Sequence, residues 1–253
     1  MRTNPSDLAE IFDAELGDTE AAALDELGAR YNVAPTQPIP VVVQRDDGRR
    51  IELQRWGLVP SWSKSVTTAA ARYINARAET VATSPAFRAS FLRRRCIIPA
   101  DGFYEWLRDG RRKQPFLIHT EDDAPLAFAG LWAPWRDPAS GQWLLSAAVV
   151  TTTANATVSQ LHNRMPVILD LESDAWRLWL DPQMRDEGLL QSLLEPAPDS
   201  LLELRAVSSL VNNANNEGPE LLAGPAPEAP LDAALTLSLS PANFTGSSRP
   251  WGS

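Results

Sequence analysis

Apolar positions along this chain change their period twice. Near the N-terminus Leu8, Ile11, Phe12 and Leu16 recur at helical spacing behind a polar cap and an early proline, Thr3-Asn4-Pro5-Ser6-Asp7, which predicts a helix opening there. A proline-stiffened loop, residues 30–38, then leads into short apolar runs of strand character. These fall at 39–44, 50–59, 96–100, 102–107, 115–119, 126–132 and 143–151. Asp46-Asp47-Gly48 supplies the turn between the first two, and Asp109-Gly110 marks a tight hairpin between two later ones. Ser84-Pro85 opens a short helix over 86–94. Beyond Thr153 the helical period returns, towards Leu161, over 172–180 and around 187–194. Strands crowd the middle and helices the ends, without alternation, so the predicted class is α+β rather than a doubly wound sheet. After about Gly218 the chain turns rich in Pro, Ala and Ser, with one apolar interruption at 231–239. One domain over 1–222 and a mostly disordered tail over 223–253 are expected.

Composition narrows the class. The 253 residues are 44% hydrophobic and include nine Trp and seven Phe, enough for a large aromatic-rich core. No apolar run reaches the roughly 18 residues of a bilayer span, and no basic-then-apolar leader opens the chain, so a soluble cytoplasmic protein is expected. A single cysteine, Cys96, excludes an internal disulfide and a multi-cysteine zinc site. The net charge of −9 argues against a polyanionic partner until its distribution is seen. Residues 45–115 hold 15 Lys+Arg against 7 Asp+Glu, a local +8 inside an acidic chain. Such a basic middle can steer a polyanion whatever the average; equally, those cations can solvate strand edges and a helix face.

Several side chains could carry chemistry. Glu105 shares a strand face with Phe103, opposite Tyr104 and Trp106. On an inner face, desolvation would raise its pKa and suit it to moving protons; on an outer face it is an ordinary solvated carboxylate. His162 stands in a polar loop beside the stiff Met165-Pro166 pair, whereas His119 lies in an apolar strand and reads as structural. Asn75 can bind an oxyanion or orient an amine, and Arg77 can clamp a phosphate. Their plainer roles are a turn-stabilising amide and a salt bridge to Glu79. Trp62 beside Lys64 has what a base-stacking platform needs, or is a rim tryptophan. Cys96, in an apolar strand, reads as a buried, inert thiol.

Five blocks in order change the weight of these candidates: Tyr31-Asn32-Val33-Ala34-Pro35-Thr36, Arg55-Trp56-Gly57, Asn75-Ala76-Arg77-Ala78-Glu79-Thr80, Asp101-Gly102-Phe103-Tyr104-Glu105-Trp106 and His162-Asn163-Arg164-Met165-Pro166. Together they resemble the SOS response-associated peptidase (SRAP) family, whose members process abasic sites in DNA. The resemblance runs from about residue 5 to Leu222. It implies a single α+β domain, with β-sheets forming a barrel-like core, flanking helices and a positively charged cleft for single-stranded DNA. It also implies that an N-terminal cysteine, exposed by self-removal of the initiator Met, condenses with the ring-opened sugar and closes a thiazolidine crosslink. In that scheme Asn75 resembles the amide that positions the N-terminal residue. Glu105 resembles the carboxylate shuttling protons at the sugar and Schiff base, and His162 the imidazole assisting ring opening and reversal. Arg77 and Arg164 resemble phosphate-contacting arginines, with Trp62, Thr151, Met165 and Pro166 around the DNA path. No metal or organic cofactor is implied, and a monomer that joins the nucleoid when bound to DNA is expected.

The family begins Met-Cys-Gly-Arg, whereas this chain begins Met1-Arg2-Thr3-Asn4-Pro5. The nucleophile is absent from the chain as written, as is the strand that should carry it. Cys96 cannot replace it, because the thiazolidine needs a thiol and a free α-amine on one residue. Either a few residues are missing upstream, the favoured account, or the protein is a variant that binds DNA without crosslinking. DNA binding without a stable crosslink is therefore expected of this polypeptide. Two other readings are a non-covalent single-strand-binding module with Glu105 and His162 vestigial, and, ranked last, a thiol hydrolase using Cys96 with His162.

Overall fold

The computed structural model describes residues 1–66, 72–110 and 112–225. The tail expected from residue 223 lies, from residue 226 onward, outside the described residues. Ten strands are described: β1 (Pro38–Arg45), β2 (Gly48–Trp56), β3 (Asn75–Arg77), β4 (Arg95–Ala100) and β5 (Phe103–Asp109), then β6 (Arg112–His119), β7 (Leu126–Arg136), β8 (Trp143–Thr153), β9 (Arg164–Pro166) and β10 (Glu203–Ala206). Strands β2, β1, β4, β7 and β8 pair antiparallel in that order. A parallel contact, Arg55 opposite Ser146 and Trp56 opposite Ala147, returns β8 to β2 and closes a five-stranded barrel. Strands β3 and β9 extend the ladder along β8 towards its C-terminal end. A separate antiparallel sheet runs β10-β6-β5. The α+β class and barrel core match the expectation.

Strands β1, β4, β7 and β8 are buried on both faces along most of their length and read as nearly continuous apolar runs, whereas β2 is mostly half-buried. One face carries Val42, Ile97, Leu131 and Val150. It packs against Leu8 of α1 (Pro5–Ile11), Phe91 of α3 (Arg88–Arg93), Trp176 and Trp179 of α5 (Ala175–Leu180) and Leu190 of α6 (Glu187–Ser192). The other face carries Val41, Val43, Cys96, Phe128 and Val149. It receives Ile118 of the small sheet, Met165 of β9 and Val158 of α4 (Ala156–Ser159). The small sheet is thus seated against the barrel by apolar burial, and that seating builds the site.

Some boundaries move for local reasons. The second strand ends at Trp56 rather than residue 59 because Gly57 takes φ 119° and turns the chain, after which the Leu58 N–H bonds to the Tyr73 carbonyl. The helix expected over 172–180 begins at Ala175, whose N–H is met by the Ser173 hydroxyl. Helix α2 (Asp18–Leu27) went unpredicted. It buries none of its residues, and Leu24 packs only partly against the core, too narrow a stripe for periodicity to report.

Several motif residues prove to be scaffold. The Asp101 carboxylate accepts the N–H groups of Arg2 and Thr3 and the Thr3 hydroxyl, and lies 3.6 Å from the Met1 amine. Glu217 accepts the N–H of Tyr31 at 2.8 Å and of Asn32 at 3.3 Å, and takes Arg30 at 2.9 Å. The Asn32 amide reaches the carbonyls of Val211 and Asn213 at 3.2 and 3.0 Å. Asp101 thus ties down the N-terminal segment, main-chain bonds between Met1 and Arg30 join that segment to the loop at 30–32, and Glu217 and Asn32 join the loop to the C-terminal strap.

Asp101 gives this clamp a pH limit. Burial works to raise its pKa, but the Thr3 hydroxyl, the backbone N–H groups and the Met1 ammonium together hold it below its ordinary 3.8. A carboxyl with a depressed folded pKa contributes stability above its unfolded pKa and loses it as pH falls through the folded one. The amide resonances of Arg2 and Thr3 are expected to titrate together with a midpoint below pH 3.8. A shared midpoint above that value would contradict the clamp.

Candidate active site and nucleic-acid interface

The site forms where the end of β8 meets the small sheet. Strand β3 alternates, with Asn75 and Arg77 exposed and Ala76 and Ala78 buried, so the two polar side chains share the outer face. Arg77 lies opposite Thr151 on β8, and Thr151 lies opposite Pro166 on β9. Three residues from distant blocks thus form one row across three strands. Among the described residues neither the Asn75 amide nor the Arg77 guanidinium has a hydrogen-bond or ion-pair partner.

Strand β5 settles which face Glu105 takes. Tyr104 donates its hydroxyl to the Tyr31 carbonyl at 2.8 Å, and Trp106 donates its indole N–H to Asn212 at 2.7 Å. On the opposite face Phe103 meets the Phe128 ring edge-on, and Glu105 turns towards His162. The Glu105 Oε1 is 3.7 Å from His162 Nδ1, with the carboxylate side chain 25% exposed and the imidazole 48%. Burial raises the Glu105 pKa above 4.5, and the neighbouring imidazole only partly offsets this. The inner-face alternative is therefore the one the fold adopts.

His162 is delivered by a short capped turn. The Asn155 side chain accepts the Val158 N–H at 2.9 Å to start α4, and the His162 N–H closes on the Val158 carbonyl at 3.0 Å. Nδ1 lies 3.2 Å from both the backbone N–H and the carbonyl oxygen of Arg164. A neutral ring accepts from the first and a protonated ring donates to the second, so the backbone serves either state. The 3.7 Å between Glu105 and Nδ1 is longer than a hydrogen bond, so a proton passing between them needs a bridging water or a small closure of the pair.

The remaining candidates divide. Arg164 is not free: it holds Glu79 through two nitrogens and also donates to the Thr151 carbonyl at 2.6 Å. Glu79 is thus bridged by Arg164 rather than by Arg77, because β9 carries Arg164 alongside β8 within reach of the segment after β3. The Arg164 hydrogen bond holds the Glu79 carboxyl below its ordinary range. Met165 is 1% exposed, since the alternation that partly exposes Arg164 and Pro166 turns it into the core. Its side chain packs beneath the row instead of facing solvent. Trp62 is exposed on a separate loop, edge-on to Tyr73 at 6.5 Å and anchored where the Trp135 indole donates to the Ser63 carbonyl. His119 is buried, with Nδ1 2.7 Å from the Thr120 carbonyl. Cys96 is fully buried and its thiol is pushed up by desolvation, which removes the physical basis for the thiol-hydrolase reading.

Two participants were not singled out from the sequence. Glu79 was visible only as a plain partner for Arg77. Gln191 of α6, whose amide donates to the Ala78 carbonyl at 2.9 Å, carried no local signal at all. Among the described residues no helix is long and apolar enough to cross a membrane.

Comparison with known proteins bears on the family and the fold. The pattern defining the SOS response associated peptidase (SRAP) family matches residues 1–214. The abasic site processing protein YoqW of Bacillus subtilis is 42% identical over 193 residues, covering 76% of this chain and 84% of that protein. The abasic site processing protein HMCES of Xenopus tropicalis is 32% identical over 228 residues, covering 79% and 67%. A crystal structure of a protein from Bacteroides thetaiotaomicron superposes with a TM-score of 0.79 at 25% identity, covering 88% of this chain and 97% of that one.

Proposed function

The chain belongs to the SOS response associated peptidase family, and on that premise we propose that it processes abasic sites in single-stranded DNA. The observation that carries this reading is the opposition of Glu105, on β5 of the small sheet, and His162, in the turn after α4, beside the row of Arg77, Thr151 and Pro166. An abasic sugar opens to an aldehyde, and an α-amine, which in a polypeptide of this sequence is that of Met1 once it leaves Asp101 and the Arg30 carbonyl, adds to its carbonyl carbon to give a carbinolamine. Loss of water then yields an imine. A carboxylic acid with a raised pKa can protonate the departing hydroxyl, and a neighbouring imidazole can take and return the proton at ring opening. Asn75, exposed and unpartnered, is suited to orient the amine. Arg77 is suited to hold a phosphodiester.

A thiazolidine requires a thiol and a free α-amine on one residue. The only thiol in these 253 residues is the buried Cys96. A polypeptide of this sequence is therefore expected to bind abasic single strands without a crosslink that survives heat and a denaturing gel. The proposed state is a monomer, and peptidase or strand-cleaving steps belong to the same site.

Binding should be salt-dependent, and Arg77→Ala should weaken it while flattening the log–log salt slope by about 0.7, the share of one single-strand phosphate contact. Fluorescence anisotropy with an abasic oligonucleotide across a salt series reads both quantities. An Arg77→Ala slope equal to wild type would remove Arg77 from the interface. The second reading is a purely non-covalent single-strand binder, favoured by the unpaired Arg77 and the exposed Trp62. It differs in predicting no chemistry at an abasic site.

A further inference from the structure

Arg164 is engaged before any ligand arrives. Glu79 Oε1 lies 2.5 Å from Nη1 and Oε2 3.0 Å from Nη2, a two-point pair with the guanidinium fork. Nη2 also reaches the Thr151 carbonyl at 2.6 Å and its hydroxyl at 3.3 Å, while Nε is buried without a partner. A phosphate approaching along the row of Arg77 and Thr151 thus meets an arginine whose fork is filled. What fills it is a good likeness of a phosphate, since a carboxylate offers a fork two anionic oxygens much as a phosphodiester does. The two partners differ in freedom. The Glu79 side chain is 48% exposed and the Arg164 side chain 19%. The carboxylate can swing into solvent while Thr151 keeps the guanidinium in place.

We propose that Glu79 occupies a phosphodiester subsite at Arg164 and Thr151 in the DNA-free protein, and that a backbone phosphate displaces it on binding. The proposal rests on the single-stranded DNA reading above. It makes Glu79 a specificity-determining residue: only a ligand that places a two-oxygen anion at this point of the row displaces the internal one. Arg77, which has no competitor, makes the first contact.

The test is a double-mutant cycle on the full chain. Binding of a single-stranded oligonucleotide carrying a tetrahydrofuran abasic analogue is measured by anisotropy across a NaCl series. The proteins are wild type, Glu79→Gln, Arg164→Lys and the double variant, each checked by thermal melt. Lysine keeps the charge but lacks the fork, so it is milder on the fold than alanine. Glu79→Gln is expected to bind about tenfold tighter at low salt with an unchanged log–log slope, because the same phosphate reaches Arg164 in both proteins once the carboxylate has left. In the Arg164→Lys background the same change should give about twofold, the general effect of removing one negative charge. Equal tightening in both backgrounds would mean that Glu79 acts only by repulsion and would overturn the proposal. Weaker binding by Glu79→Gln would overturn it too, showing that the carboxylate is needed to position Arg164. Failure of the wild type to bind single strands at any salt is a separate outcome, which removes the DNA reading itself and this proposal with it.

Discussion

Glu105→Gln is expected to slow imine formation at an abasic site by about 10²–10⁴-fold while leaving single-strand affinity within about twofold. The rate is read by borohydride trapping on an abasic oligonucleotide, and the affinity by anisotropy. Glutamine keeps the size and the hydrogen-bonding outline but cannot deliver or receive the proton that dehydration of the carbinolamine requires. Two signatures separate this from mere structural damage. Burial raises the Glu105 pKa above 4.5, so the wild-type rate should fall as pH rises through that raised value, and this limb should vanish in the variant. A carboxyl with a raised folded pKa contributes stability below its unfolded pKa and loses it as pH rises through the folded one. At neutral pH the glutamine variant should therefore be at least as stable as wild type, and slower. A trapping rate within about threefold of wild type would take the proton-handling role away from Glu105.

Arg95→Ala should cost the fold about 3–5 kcal/mol, from several buried carbonyls left without a donor at roughly 1–3 kcal/mol each and the cavity left behind. The Arg95 guanidinium is buried at the start of β4. It donates to the carbonyls of Trp179 at 2.6 Å, Phe91 at 2.8 Å and Met184 at 2.9 Å, and to that of Asp181. Those carbonyls include ones at the ends of α3 and α5, where the helical ladder leaves acceptors without partners and a cation is favoured. Desolvation lowers the arginine pKa to about 10, still leaving it charged at neutral pH. Alanine would strand several buried acceptors and open a cavity beneath Trp179, whose ring lies 5.7 Å from the guanidinium carbon. Arg95→Lys should fall between, because three ammonium donors on one nitrogen cannot serve four divergent carbonyls. Urea denaturation of the three proteins checks the order. A loss below about 1 kcal/mol for alanine would mean that water replaces the guanidinium.

Much of this was legible along the chain, for identifiable reasons. Strands β1, β4, β7 and β8 announce themselves because both faces are buried, and the first helix because its cap, proline and apolar spacing agree. Strands β3 and β9, three residues each, are too short to show a period; their register against β8 creates them. The exposure of Asn75 and Arg77 follows from that register as well. The family resemblance implied a phosphate contact for Arg164, and the residues themselves offered Glu79 a bridge to Arg77. No local rule could foresee that β9 would bring Arg164 to Glu79 across 85 positions of chain.

The residue types of the site, their order and the class of fold are written in the sequence, because hydrophobic period, capping and turn chemistry are local. Five spaced blocks single out Asn75, Arg77, Glu105 and His162 through their resemblance to a family pattern. Only the tertiary structure decided which face Glu105 takes, since alternation fixes that Phe103 and Glu105 agree but not which side is inward. That choice comes from seating the small sheet against the barrel, which puts Glu105 within 3.7 Å of His162 and raises its pKa by burial. The same packing filled the Arg164 fork with Glu79, because only a fold that joins β8 and β9 gives the carboxylate an arginine to hold.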